Sequence, residues 1–226
     1  MPNNYGGDIA NRKLAEEDLY SKGVIERYVE IEKTGVSSYI SMVCGFWYEW
    51  SLGLGESFFG IDIRSKKATF FDDGETKINT STWEQCGKAL AGLLSLKELP
   101  EDENDKEPNV AQWKNKPLYI SSFLVSQRDM LDSVHRVMGT TDKDWEIVFE
   151  KSAERYAKGL EDMKKGERLG FARAMYSRGF YPNGGGDYES SRGLDSGKIG
   201  LEKDDLDVAT KRAVEMVAAG WNPFAG

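Results

Sequence analysis

Apolar positions in the first third of the chain change their period twice, and each change marks an element. Over residues 11–34, Leu14, Leu19, Ile25, Tyr28, Val29 and Ile31 fall mostly at helical spacing, and Gly35 stands where a helix stop belongs. The spacing predicts one helix with one buried face. Residues 36–43 then mix β-branched and aromatic side chains with serines and run into Cys44-Gly45, as in a strand covered on both sides. Helix followed by parallel strand is the pattern of an α/β unit. Residues 46–59 are dense in aromatics and glycine and follow no single period, which suits a segment that lines something. Ile61-Asp62-Ile63 and Ala68-Thr69-Phe70-Phe71, joined by a turn-like 64–67, predict a hairpin, and Asp72-Asp73-Gly74 is a further turn signal.

The second half continues in the same style. Ser81 with Glu84 three residues on reads as a capping box opening a helix over 85–96. Residues 100–117 hold Glu101-Asp102-Glu103-Asn104-Asp105-Lys106-Glu107 and read as an exposed acidic loop within one domain, because α/β elements resume after it. Leu118-Tyr119-Ile120 predicts a strand. Ser126 and Asp129 cap a helix that stops at Gly139, residues 145–149 alternate as a strand, and helices follow over 152–165 and 169–178. A glycine-rich loop over 179–200 leads to a last helix, 204–219, before Gly220. No internal repeat is present.

Composition narrows the function classes. The 226 residues are 39% apolar and 30% charged, enough for a proper core. A net charge of -8 with no long basic cluster argues against nucleic acid and anionic lipid as partners. No run approaches the roughly 18 apolar residues of a spanning helix, and the first 20 residues lack an export core, so a soluble, cytoplasmic protein is expected. Cys44 and Cys86 fall in core-like segments and suit reduced thiols, which makes the sequon Asn79-Thr80-Ser81 a coincidence.

Four features bear on chemistry. Lys22, one turn before Glu26, reads on its own as half of a surface i,i+4 pair. Gly184-Gly185-Gly186 with Asp187 lacks the strand and helix that a phosphate cradle needs and reads as a flexible loop. His135 is the only histidine and has neither a serine elbow nor partner ligands, so it reads as structural and no metal site is expected. The aromatic group Phe46, Trp47, Tyr48 and Trp50 follows a strand's carboxyl end, where core packing and a flat-ligand pocket both remain open.

Three stretches carry a resemblance. Pro2-Asn3-Asn4-Tyr5-Gly6, then Leu19-Tyr20-Ser21-Lys22-Gly23-Val24-Ile25-Glu26-Arg27, then Val43-Cys44-Gly45-Phe46 resemble the NmrA-like/isoflavone reductase-like family of atypical short-chain dehydrogenases. The matching family stretches are a P-S-E-F-G-like loop and an F-x-x-K-x-x-I-R-R-like helix that bears a catalytic lysine. Later segments agree in order and spacing: the 72–74 turn, the strand Leu118 to Phe123, and Gly200-Leu201 before an amphipathic helix.

The resemblance implies an α/β fold: a partial Rossmann-like, NAD(P)-binding sheet with helices plus an α+β substrate-binding portion. It implies one domain over 1–226, with the remaining Rossmann strands and the catalytic helix in 1–52 and mainly the substrate portion, returning to the sheet, in 53–226. It further implies an oxidoreductase using NADP or NAD to reduce a small aromatic or enone-type molecule. A dinucleotide-sensing regulator of the same fold, or an inert fragment, is the alternative. Lys22 would be the catalytic proton-transfer residue. Asn3, Asn4, Lys22 and Phe46 would border the cofactor, and Cys44, Gly45, Phe46, Trp47 and Tyr48 would form the substrate wall. Three departures stand out: the family's glycine-rich G-x-x-G-x-x-G turn is absent, implying amino-terminal truncation, Asn4 replaces a glutamate, and Glu26 replaces an arginine.

Overall fold

The computed structural model describes residues 5–17 and 19–223. Strand β1 (Tyr5–Gly6) is followed by helices α1 (Arg12–Glu17) and α2 (Ser21–Lys33). The single helix expected over 11–34 is therefore interrupted. Leu19 has φ 67°, a left-handed backbone that a right-handed helix cannot contain. Gly35, at φ 67°, provides the expected stop. Strand β2 (Ile40–Val43) keeps only the second half of its predicted span: residues 36–39 have no strand partner among the described residues, and Val36 is 90% exposed.

Next come β3 (Phe46–Trp47), α3 (Tyr48–Gly53), β4 (Ile61–Asp62), β5 (Lys67–Phe71), β6 (Ile78–Ser81) and α4 (Trp83–Leu94). The cap of α4 is Thr82, whose hydroxyl accepts from the Gln85 amide at 3.0 Å. Ser81, the residue expected there, ends β6 and donates its hydroxyl to the Cys44 carbonyl instead. Strands β7 (Lys116–Tyr119) and β8 (Phe123–Val125) precede α5 (Gln127–Met138), which has the predicted Ser126/Asp129 capping box and left-handed Gly139. Strand β9 (Glu146–Glu150), α6 (Ser152–Lys164), α7 (Arg168–Gly179), α8 (Tyr188–Arg192) and α9 (Leu206–Ala218) complete the order. Strand β8 was not predicted, since three residues are too few to show a period, and α8 lies inside the stretch read as loop.

Strand order gives three small sheets. In the first, β1, β2 and β7 are all parallel, with Met42 opposite Tyr5 and Leu118. The second pairs β3 parallel to β6 and β6 antiparallel to β8. The third pairs β4 with β5 in the expected hairpin and β5 parallel to β9. The architecture is mixed α/β.

Among the described residues a small apolar cluster gathers Ile9, Val24 and Tyr28, and two larger cores hold the sheets. One lies between the parallel sheet and α4, where Met42, Cys44, Leu118 and Ile120 meet Cys86, Ala89 and Leu93. The larger gathers Tyr48, Phe59, Phe71, Ile78, Met130 and Phe180. Each fully buried side chain of this size contributes about 1.5–3 kcal/mol relative to exposure. Gln127, fully buried, ties α5 to the third sheet: its Nε2 donates to the Phe59 and Thr69 carbonyls, and its Oε1 accepts from the Phe71 amide at 2.6 Å. Among the described residues no helix is long and apolar enough to cross a membrane.

Candidate functional site

Chain direction puts the site at the carboxyl ends of the parallel strands. Gly6 ends β1 and Gly7 and Asp8 follow it, and beyond β2 lie Gly45, Phe46 and Trp47. Both segments line one cavity of about 380 Å³. Such strand ends are where open α/β sheets hold ligands. Trp50 of α3, Ile78 and Asn79 of β6, Phe171, Met175, Tyr176 and Gly179 of α7, and Gly185, Gly186 and Tyr188 close the rest, with Leu14 and Tyr20 on the α1–α2 side.

The aromatic wall is fixed by ring packing. Phe46 stacks on Tyr176 with centroids 4.1 Å apart and planes 16° from parallel, and Phe59 braces both edge-on. The Tyr176 hydroxyl bonds Ser51 at 2.7 Å, and Ser51 donates to the Trp47 carbonyl. Burial keeps the Tyr176 phenol far above its ordinary range, so it remains neutral. At the turn between β2 and β3, Gly45 has φ 66°, and a Cβ there would lie 2.0 Å from the Asn79 carbonyl oxygen. Only glycine lets the wall come this close to β6. Gly186 is pressed in the same way, against Ile78 and the Gly179 carbonyl, and its own carbonyl accepts from the Asn79 amide. Arg178, buried, donates Nε to Glu17 and so pins the end of α1 to α7.

Polar groups inside the cavity are few. Asp8 is 4% exposed; its Oδ1 accepts from the Ala10 amide and the Tyr119 hydroxyl, each at 3.0 Å. Burial and the neighbouring Asp8 charge hold the Tyr119 phenol well above its usual range. Asn79 donates Nδ2 to Ser121 and Glu189 and accepts from the Glu189 amide. The Tyr188 hydroxyl donates to the Ile120 carbonyl at 2.6 Å.

The expected site residues separate into four groups. Gly45, Phe46 and Trp47 line the cavity together. Cys44 and Tyr48 do not: both side chains are fully buried on the far sides of the wall, because strand and helix periodicity turns neighbours of a lining residue into the core. Hydrogen bonding to Cys86 and burial push the Cys44 thiol up, and Tyr48 bonds Thr210 at 2.7 Å. Lys22 is exposed in the first turn of α2 and is not among the described lining residues, although Tyr20, two positions earlier, is. Asn3 and Asn4 lie outside the described residues. His135 is tied to Thr140 and Asp142, and Cys44 and Cys86 are free thiols. No group of side chains suited to hold a metal occurs among the described residues.

Asp8, Phe171 and Tyr176 have no place among the site residues expected from the sequence, and Asn79 stands there only as part of a coincidental sequon. Phe171 and Tyr176 read as ordinary helix positions, and Gly185-Gly186 read as slack loop. Only Asp8 had a local signal, an acid directly after glycines at a strand end.

No family model matches the chain, and no curated protein matches it in sequence. Solved structures do. An isoflavone reductase superposes with a TM-score of 0.61 at 18% identity over 91% of this chain and 62% of that one. The fold is the isoflavone reductase fold. Pinoresinol-lariciresinol and phenylcoumaran benzylic ether reductases give a TM-score of 0.62 at 14% identity over 93% and 63%. A leucoanthocyanidin reductase from Vitis vinifera, solved in complex with NADPH, gives 0.60 at 13% over 95% and 65%. The chain thus spans somewhat under two thirds of these isoflavone reductase-like structures.

Proposed function

We propose that this chain binds a flat aromatic small molecule and serves as the substrate-holding part of an NAD(P)H-dependent reductase. One observation carries the reading: the aromatic cavity opens at the carboxyl ends of β1 and β2, with Phe46 and Tyr176 stacked as its wall. Proteins named as reductases share the fold, and one of them was solved with NADPH. The cofactor, NADP or NAD, would supply hydride. The residues present fit a ring-sized group and not a pyrophosphate: the cavity's described lining holds no lysine or arginine, and the groove that shares Trp50 and Phe171 with it carries Glu56 and Asp62 as well as Arg64 and Arg168, so its lining is not predominantly basic. Lys22, two positions after the lining residue Tyr20, would serve proton transfer.

A second reading, a non-catalytic binder or regulator of the same fold, draws on that lining without lysine or arginine. Thermal scanning with 2-naphthol and with NADPH, each at millimolar concentration, is the test. The aromatic is expected to raise the midpoint and NADPH to raise it less. No aromatic shift would sink the cavity reading. NADPH consumption with an aromatic enone separates enzyme from binder: in an enzyme, Lys22→Met lowers turnover about 100-fold or more and leaves the unfolding midpoint unchanged.

A further inference from the structure

We propose that Asp8 selects the ligand of the aromatic cavity, favouring a neutral aromatic that carries a hydroxyl or amino hydrogen over the same skeleton without one. This rests on the reading of the cavity as a small-molecule site.

Asp8 is the one carboxylate among the described lining residues, and it is buried. Among the other polar tips of lining residues, Asn79 is committed to Ser121 and Glu189, Tyr188 to Ile120, and Tyr176 to Ser51; the buried Trp47 Nε1, which has no partner among the described residues, can only donate and so cannot receive a hydrogen from the ligand. Asp8 Oδ1 is likewise filled by Ala10 and Tyr119. Its Oδ2 is not. Among the described residues that oxygen meets Arg192 Nε at 3.5 Å, longer than a well-formed charged hydrogen bond, and the Arg192 side chain is 43% exposed. A carboxylate oxygen accepts about two bonds, so Oδ2 keeps a place for one from the ligand. With Arg192 already supplying the counter-charge, a neutral donor completes the set without a second cation. An ether at the same place would leave the carboxylate buried against an oxygen with nothing to give, and that mismatch discriminates.

A matched pair of probes, 2-naphthol and 2-methoxynaphthalene, titrated calorimetrically into the full chain, tests this. The naphthol is expected to bind about tenfold or more tightly, the value of one hydrogen bond to a charged acceptor. Asp8→Asn, which offers a donor in place of an acceptor, is expected to bring the two affinities within about twofold of each other, with the ether still bound. Equal affinities in the unaltered chain, or a preference that survives Asp8→Asn, overturn the proposal and leave the cavity reading standing. Binding of neither probe overturns both. If Asp8→Asn loses its cooperative unfolding, Tyr119→Phe carries the test. That change frees Oδ1, so a preference at least as large as in the unaltered chain supports the assignment, and its disappearance overturns it.

Discussion

The cavity and the acidic loop at 101–109 are built by opposite rules. The cavity closes where backbones distant in sequence press together: Gly45 on the Asn79 carbonyl, Gly186 on Ile78, and the Phe46 ring on Tyr176. The loop is held by its own side chains. Asp102 accepts from the amides of Asn104 and Asp105, and Asp105 accepts from those of Glu101 and Glu107. Lys97, just before the loop, closes it with an ion pair to Asp105. A single change in the first structure must move neighbouring backbone, whereas in the second it is absorbed within a few residues.

Gly45→Ala should show the largest effect. The added methyl meets a carbonyl oxygen fixed in β6, and the left-handed backbone is itself unfavourable for alanine, so a loss of about 3 kcal/mol or more is expected in chemical denaturation. Binding of 2-naphthol should fall with it. An unchanged denaturation midpoint would mean that the turn relaxes freely, and the contrast with the loop would fail.

The same contrast sets how much could be read in advance. Helix α5 was legible to the residue, since Ser126, Asp129 and Gly139 act over one turn at each end. The hairpin β4–β5 and the acidic loop were legible for the same reason. The break at Leu19 was not, because a leucine in the left-handed region carries no sequence mark. The shift of the α4 cap from Ser81 to Thr82 turned on a distant demand, the Cys44 carbonyl, which takes the Ser81 hydroxyl. Within the cavity, the aromatic cluster after Cys44 pointed to its own half of the wall. The opposite half, Phe171 and Tyr176, lies over a hundred residues away on a helix whose pattern gave no hint.

Gln127→Ala ranks next. It belongs to the cavity's style of construction, one buried side chain joining α5 to Phe59, Thr69 and Phe71, but its loss leaves space rather than a clash. Three backbone groups lose their partner, each worth about 1–3 kcal/mol if left dry. Water entering the vacated volume offsets part of this, and a net loss of about 3 kcal/mol is expected by the same measurement. A loss below about 1 kcal/mol would show that the sheet does not depend on this one residue.

The smallest effect belongs to the loop. A hydrogen bond from the Lys97 ammonium, then the amides of Glu101 and Glu107, hold the Asp105 carboxyl at about 2, below its ordinary 3.8. A carboxyl depressed on folding contributes order that is complete above its unfolded value, near 4, and disappears as pH falls through about 2. The amide resonances of Glu101 and Glu107, which report directly on that carboxylate, should therefore titrate with a midpoint of about 2. A midpoint near 4 would mean that Lys97 does not hold it. Asp105→Asn at neutral pH should shift these same resonances and lower the unfolding midpoint only slightly, while naphthol affinity stays unchanged. None of the bonds lost reaches the cavity, so a change in ligand affinity would show instead that the loop and the strand ends are coupled through β7.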